Sequence, residues 1–188
     1  MIISPLKILK LNKKYNLIEN LDKRELQPEG AGFDLRVGEV FKIKGKGFLG
    51  KKERKTPTAQ KIADIKKDQK ILIKPGDYFL VKTIEKVNLP PKKILIQKNF
   101  PKVYLCCFIF PRSTLQRCGL YLRATKVDPG YFGELTFGLA NLGKRNFELE
   151  LGARIANIVF LGVLGEVNFY QGQWKGGRVA TPKKEKQI

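Results

Sequence analysis

Lys126-Val127-Asp128-Pro129-Gly130-Tyr131-Phe132-Gly133-Glu134-Leu135 is the stretch from which the fold can be read. It starts as a hydrophobic strand, breaks at Pro129-Gly130 and re-enters a strand at Glu134. A carboxylate, Asp128, therefore sits at the mouth of a β-hairpin. Asp-Pro-Gly is first of all a turn signal. Asp bonds its own backbone, proline fixes φ, and glycine takes positive φ. Taken alone, the stretch is no more than that.

On both sides of it the chain reads as strands. Phe33–Gly38 alternates as a strand does, and from residue 71 the pattern is β throughout. The expected strands are Ile71–Ile73, Tyr78–Val81, Thr83–Val87, Ile94–Ile96, Val103–Phe110 and Leu120–Leu122. Glu134–Leu139, Phe147–Leu151, Ile155–Phe160 and Val167–Phe169 follow. Short strands at this spacing, with Gly/Pro turns and little helical periodicity, predict an all-β sandwich or barrel. Residues 1–27 begin with short apolar pieces and end in Glu19–Leu26, which suits one or two helical turns. In Leu135-Thr136-Phe137-Gly138-Leu139-Ala140 the large residues share one face. The small face marks close approach of a backbone or a ligand.

Between Lys42 and Lys74 basic residues outnumber acids 12 to three. With Gly45, Gly47, Gly50 and Pro57 in it, that region is expected as a solvated loop or hairpin. The end, 170–188, is Gly-rich and then Lys-rich, with too few apolar residues to pack by itself. It reads as a mobile tail behind a domain spanning 1–169.

Composition narrows the function. No apolar run approaches the roughly 20 residues of a membrane span, and Met1–Lys7 does not look like a leader. Three cysteines, Cys106, Cys107 and Cys118, suit small buried hydrophobes in a reducing cytoplasm. There is no histidine, so Ser-His and Cys-His nucleophile schemes are out. Acid–base chemistry must rest on carboxylates, lysines or tyrosines. The net charge of +20 attracts polyanions. It is spread along the chain rather than interleaved with aromatics, which makes nucleic acid the weaker partner.

Four turn motifs flank the strands: Ala31-Gly32-Phe33-Asp34-Leu35, Pro111-Arg112-Ser113-Thr114-Leu115-Gln116-Arg117, Asp128 to Glu134, and Gly152-Ala153-Arg154-Ile155-Ala156-Asn157. A fifth, Tyr170-Gln171-Gly172-Gln173, starts the tail. Each alone is an ordinary turn. In this order, over roughly residues 20–178, they closely resemble the dUTPase / dCTP deaminase superfamily.

The resemblance implies a distorted, jelly-roll-like β-sandwich forming a homotrimer, with active sites at subunit interfaces. It also implies a deoxynucleoside triphosphate substrate. Mg²⁺ would ride on the phosphates, with no protein metal site. Arg112 and Ser113 would hold phosphate oxygens, with Thr114, Gln116 and Arg117 completing that wall. Tyr131 would pack on the sugar. Backbone around Arg123-Ala124-Thr125 would read the base. Tyr170 and Gln173, with Lys175 or Arg178, would close the tail over the triphosphate. Asp34 reads as a structural acceptor, and Asn157 stands where the family usually has Gln.

The superfamily runs two reactions. Its deaminases carry a glutamate on the strand after the hairpin, which activates water for attack on C4 of cytosine. Counted from Asp-Pro-Gly, that position is Gly138, and glycine moves no proton. Glu134 reads as a hairpin-closing or salt-bridging acid. Asp128 matches the aspartate that orients water for attack on the α-phosphate. The expectation is dUTP + water → dUMP + diphosphate. A dCTP deaminase, or a bifunctional deaminase-hydrolase, is the runner-up. Asp128-Pro129-Gly130, Leu26-Gln27-Pro28, the Arg112–Arg117 spacing and the tail all look deaminase-like. A non-catalytic nucleic-acid binder on the same scaffold is the third possibility.

Overall fold

The computed structural model describes residues 1–186. Strand β1 (Ile2–Ile3) precedes helix α1 (Pro5–Tyr15). Strand β2 (Ile18–Glu19) and a single 3-10 turn, Lys23–Leu26, lead into β3 (Phe33–Lys44). The basic region forms β4 (Phe48–Leu49), β5 (Glu53–Lys55) and β6 (Thr58–Asp64). After β7 (Lys70–Ile73) and β8 (Tyr78–Asn88) come β9 (Tyr104–Pro111), the short helix α2 (Ser113–Arg117) and β10 (Leu120–Arg123). Then follow β11 (Phe132–Asn141), β12 (Phe147–Glu150), β13 (Arg154–Val163) and β14 (Glu185–Lys186).

The expected all-β architecture is what forms. Its organising strand is β3. The first part of β3 pairs with β13, from Phe33↔Ile158 to Arg36↔Arg154. A register shift at Val37/Glu39 then carries it into the sheet of β8 and β6. A strand that changes sheets through a bulge makes the corner of a sandwich. The order runs β1-β13-β3-β8-β11-β10, with β9 on the far side of β13. Inward positions alternate along each strand: Phe33, Leu35 and Val37 on β3, and Ile158 and Phe160 on β13, are buried. Phe33 meets Phe160 edge to face, with ring centroids 6.2 Å apart.

One charge lies inside this core. The Glu85 side chain is fully buried and accepts from the Arg36 amide (2.8 Å) and Nε (2.7 Å). Burial pushes its carboxyl above the ordinary value, and the bonds from Arg36 oppose that shift.

Several expectations are corrected. Helix α1 was not expected. Pro5 opens it at the first turn, and Asn16 ends it in the left-handed conformation with its N–H on the Asn12 carbonyl. Its inner face buries Pro5 and Ile8. The helical turn expected over Glu19–Leu26 is confined to Lys23–Leu26. Tyr78–Val81 and Thr83–Val87 form one strand, because Lys82 keeps the extended backbone between them. Ile94–Ile96 is no strand: a single bridge joins Ile94 to Val103. Val167–Phe169 takes no strand pairing. The Arg112 motif is a short helix rather than a turn, pinned by buried Leu115.

The basic region is richer in strand than a loop. Lys42–Lys44 pairs with Thr58–Gln60, and the β4–β5 hairpin extends from that arm. The tail predicted from residue 170 reaches Gln187 and Ile188, which lie outside the described residues. Its described part returns to this arm, where Glu185 pairs with Arg54.

Candidate active site

The Asp128 hairpin is clamped at its base by backbone. Val127 and Cys107 exchange both hydrogen bonds, 2.9 and 2.8 Å. The Tyr131 N–H donates to the Asp128 carbonyl (3.1 Å) across Pro129 and Gly130, and Gly130 has φ +88°. That is a type II turn, in which glycine supplies the positive φ. The Gly130 N–H donates to the Leu89 carbonyl, and the Leu89 N–H donates to the Tyr131 carbonyl, each at 2.8 Å. Five backbone hydrogen bonds thus fix the geometry of the loop.

This clamping aims the Asp128 carboxylate at a cavity of about 600 Å³. Thr125, Tyr131 and Tyr170 line the same cavity. Asp128 is the sole acid among its lining residues, and it pairs with Lys126. The Tyr131 hydroxyl donates to the Glu134 carbonyl (2.6 Å), and burial raises its ionisation well above the usual phenol range. Tyr131 therefore stays a neutral, oriented ring. Tyr170 packs on it edge to face at 5.5 Å, and the Tyr170 N–H donates to the Pro129 carbonyl. The tail thus reaches the mouth of the cavity, where Trp174 and Arg178 join the lining.

The other candidates lie elsewhere on the protomer. Arg112 and Ser113 line a separate, polar cavity of about 260 Å³. There Asp34 accepts from Arg112, from Arg154 (2.9 Å) and from Asn157 (3.1 Å). Asp34 thus ties three of the motif residues together. Glu25 borders the same cavity, with its carboxyl raised by burial. Ser113, Thr114, Gln116 and Arg117 are exposed on α2. Ala124 packs against the core, and Gln173 accepts from Arg54 Nε (2.6 Å) and donates to Thr181 (3.1 Å). None of these lines the Asp128 cavity among the described residues.

Glu134 is held by Lys82 (3.6 Å) and Lys86 (3.8 Å), the salt-bridging part expected of it. It is absent from the cavity lining. The small face of β11 is covered by neither a backbone nor open space. A Cβ at Gly138 would lie 3.0 Å from Cζ and 3.2 Å from Cε2 of Tyr78, and closer still to its hydroxyl. Tyr78 and Thr136 line the cavity and were not among the expected site residues. The Thr136 hydroxyl is buried with no hydrogen-bond partner among the described residues. The sequence signal for this pair was Gly138 itself, which only a neighbour filling its space explains.

Chemically, the cavity offers one ionisable carboxylate, two cations (Lys126 and Arg178), several neutral hydroxyls and a largely apolar wall. No cluster of three His, Cys, Asp or Glu side chains that could hold a metal ion occurs among the described residues.

A family model described as dCTP deaminase-like matches residues 2–163. A dCTP deaminase of Pyrococcus furiosus is 33% identical over 176 residues, 93% of this chain and 94% of that protein. A deoxyuridine 5'-triphosphate nucleotidohydrolase of Methanocaldococcus jannaschii is 30% identical over 171 residues, 90% of this chain and 99% of that protein. Among solved structures, the 2'-deoxycytidine 5'-triphosphate deaminase of Agrobacterium tumefaciens has a TM-score of 0.61 at 17% identity over 85% of this chain. This chain spans 46% of that one, and the likeness is one of fold.

Proposed function

The chain belongs to the dCTP deaminase-like family, and we propose that within it the protein is a dUTP diphosphatase. The observation that carries this is Gly138. Counted from Asp-Pro-Gly, it falls where the resemblance puts the deaminase glutamate, and the tip of the Tyr78 ring lies where its Cβ would go. Among the described residues that line it, the cavity then has one carboxylate to take a proton, Asp128. The name of the Methanocaldococcus jannaschii relative supports hydrolysis, and that of the Pyrococcus furiosus relative keeps deamination as the second reading.

In the proposed mechanism Asp128 orients a water molecule and takes up its proton. The water oxygen bonds to the α-phosphorus as the bond to the bridging oxygen of the β-phosphate breaks. The products are dUMP and diphosphate. Tyr131 packs under the deoxyribose, and backbone near Ala124-Thr125 meets the base. A Mg²⁺ ion carried by the substrate would supply charge neutralisation, and Asp128 would remain free to orient the water. Tyr170 and Gln173 close the tail behind the triphosphate.

The cavity's two lining cations are few for a triphosphate, while Arg112, Ser113, Thr114, Gln116 and Arg117 face away within one protomer. The site is therefore completed in a homotrimer, where this segment of one copy faces the Asp128 cavity of another. Support comes from exposed apolar side chains on two edge strands, Phe108 and Phe110 on β9 and Tyr121 on β10.

The test is to measure diphosphate released from dUTP and ammonia released from dCTP in separate assays. Diphosphate without ammonia is expected. Ammonia from dCTP would replace this reading with the deaminase one.

A further inference from the structure

The cavity divides chemically by element. Its charged groups, Lys126, Asp128 and Arg178, lie on the hairpin loop and the tail. Its strand-borne wall on β8 and β11 is neutral: Leu80, Leu135 and Phe137, with two hydroxyls, those of Tyr78 and Thr136. Tyr78 is directly opposite Ala140 and diagonal to Gly138, within reach of an aromatic ring. The tip of its ring lies where a Cβ on Gly138 would go, so a side chain there would displace the Tyr78 phenol. Two residues along the same face of β11, the Thr136 hydroxyl is buried with no partner among the described residues. A buried polar atom without a partner costs free energy and marks a place where a ligand atom completes the bond.

We infer that Tyr78 and Thr136 are specificity-determining residues, and that their hydroxyls meet the polar edge of the pyrimidine at ring position 4. This rests on the nucleotide-hydrolase reading above, with the phosphates at the charged end and the base against the neutral wall. It also sets the substrate class. Each hydroxyl rotates, donating to a carbonyl or accepting from an amino group. Neither imposes a fixed polarity, and no carboxamide lines the cavity among the described residues. A site built from fixed donors can reject the wrong partner by factors of about 10⁴ or more. Two rotors cannot. The protein should therefore take uracil and cytosine deoxynucleoside triphosphates alike and cleave both at the α-phosphate, leaving the amino group of cytosine in place.

The test is equilibrium binding of the non-hydrolysable α,β-imido analogues of dUTP and dCTP to the wild-type protein and to Tyr78→Phe. Thermal unfolding is measured for both proteins. Wild type should bind the two analogues within about tenfold of each other. Tyr78→Phe should bind each about three- to tenfold more weakly, the scale of one neutral hydrogen bond, at an unchanged melting temperature. A preference of 100-fold or more for either analogue, or equal binding by Tyr78→Phe, overturns the inference. Thr136→Val serves as the second variant and should show the same loss for both bases. Wild-type turnover of dUTP is recorded alongside. Binding without turnover would sink the diphosphatase reading while leaving the base contacts intact. Turnover with a steep base preference would sink only the present inference.

Discussion

Asp128 has one task in the proposed reaction, to align and deprotonate a water. Its carboxylate is partly exposed and paired with Lys126. Asp128→Asn keeps the size and the turn but cannot take a proton. Turnover of dUTP should fall about 10²- to 10⁴-fold, with binding of a non-hydrolysable analogue retained. Hydrolysis at the wild-type rate would remove Asp128 from the mechanism. A second prediction concerns Arg36. Its bonds hold down the carboxyl of buried Glu85, which burial raises. In Arg36→Met the folded-state value rises further. A carboxyl raised on folding contributes stability below its unfolded value, and that contribution is lost as pH rises through the folded value. The variant should therefore be weakest at neutral pH, by about 3–5 kcal/mol, and recover part of the deficit near pH 5. Urea unfolding at the two pH values checks this, and a deficit independent of pH would contradict it. Thr125, Asp128, Tyr131 and Tyr170 were legible as candidates because each sits in or beside a short contiguous motif. Tyr78 and Thr136 were not, because they meet only through the register of β8 against β11, which no local pattern encodes.

Among the elements, β strands were legible wherever apolar residues alternate, as in β3, β11 and β13. Helix α1 was hidden by its lysines: Lys7, Lys10, Lys13 and Lys14 interrupt it, and only Pro5, Ile8 and partly buried Leu9, Leu11 and Tyr15 mark the inner face. Ile94–Ile96 has strand composition but lacks a ladder, since Asn99 turns the chain with φ +62° and leaves a single bridge to Val103. The tail is the element with the most direct consequence for the site. Tyr170 packs on Tyr131, the Gly176 N–H donates to the Phe132 carbonyl at 2.8 Å, and Trp174 and Arg178 line the cavity. A chain ending before Tyr170 loses all of these. Its KM for dUTP should rise, or its kcat fall, severalfold, with the melting temperature changed little. Unchanged kinetics would show that the tail takes no part in closure.

At the scale of the whole molecule, charge and assembly are the open terms. The +20 charge steers polyanions of any kind toward the surface. If it served nucleic acid, duplex binding would be tight and would weaken steeply with salt. The diphosphatase account predicts weak duplex binding beside efficient nucleotide turnover. Assembly decides whether the Arg112 segment meets the Asp128 cavity. Introducing acids on the exposed face of β9, as Phe108→Glu with Phe110→Glu, should yield a folded monomer by sedimentation, with dUTP turnover lost. A monomeric variant of full activity would mean that one protomer holds the whole site.

The central claim is attack of an Asp128-oriented water on the α-phosphate, in a site that does not deaminate. It is tested most directly by hydrolysing dUTP in ¹⁸O-labelled water and locating the label, with ammonia from dCTP measured in the same preparation. Attack at the α-phosphate puts ¹⁸O in the phosphate of dUMP, none in diphosphate at early times, and releases no ammonia. Label in diphosphate, or ammonia from dCTP, would contradict it.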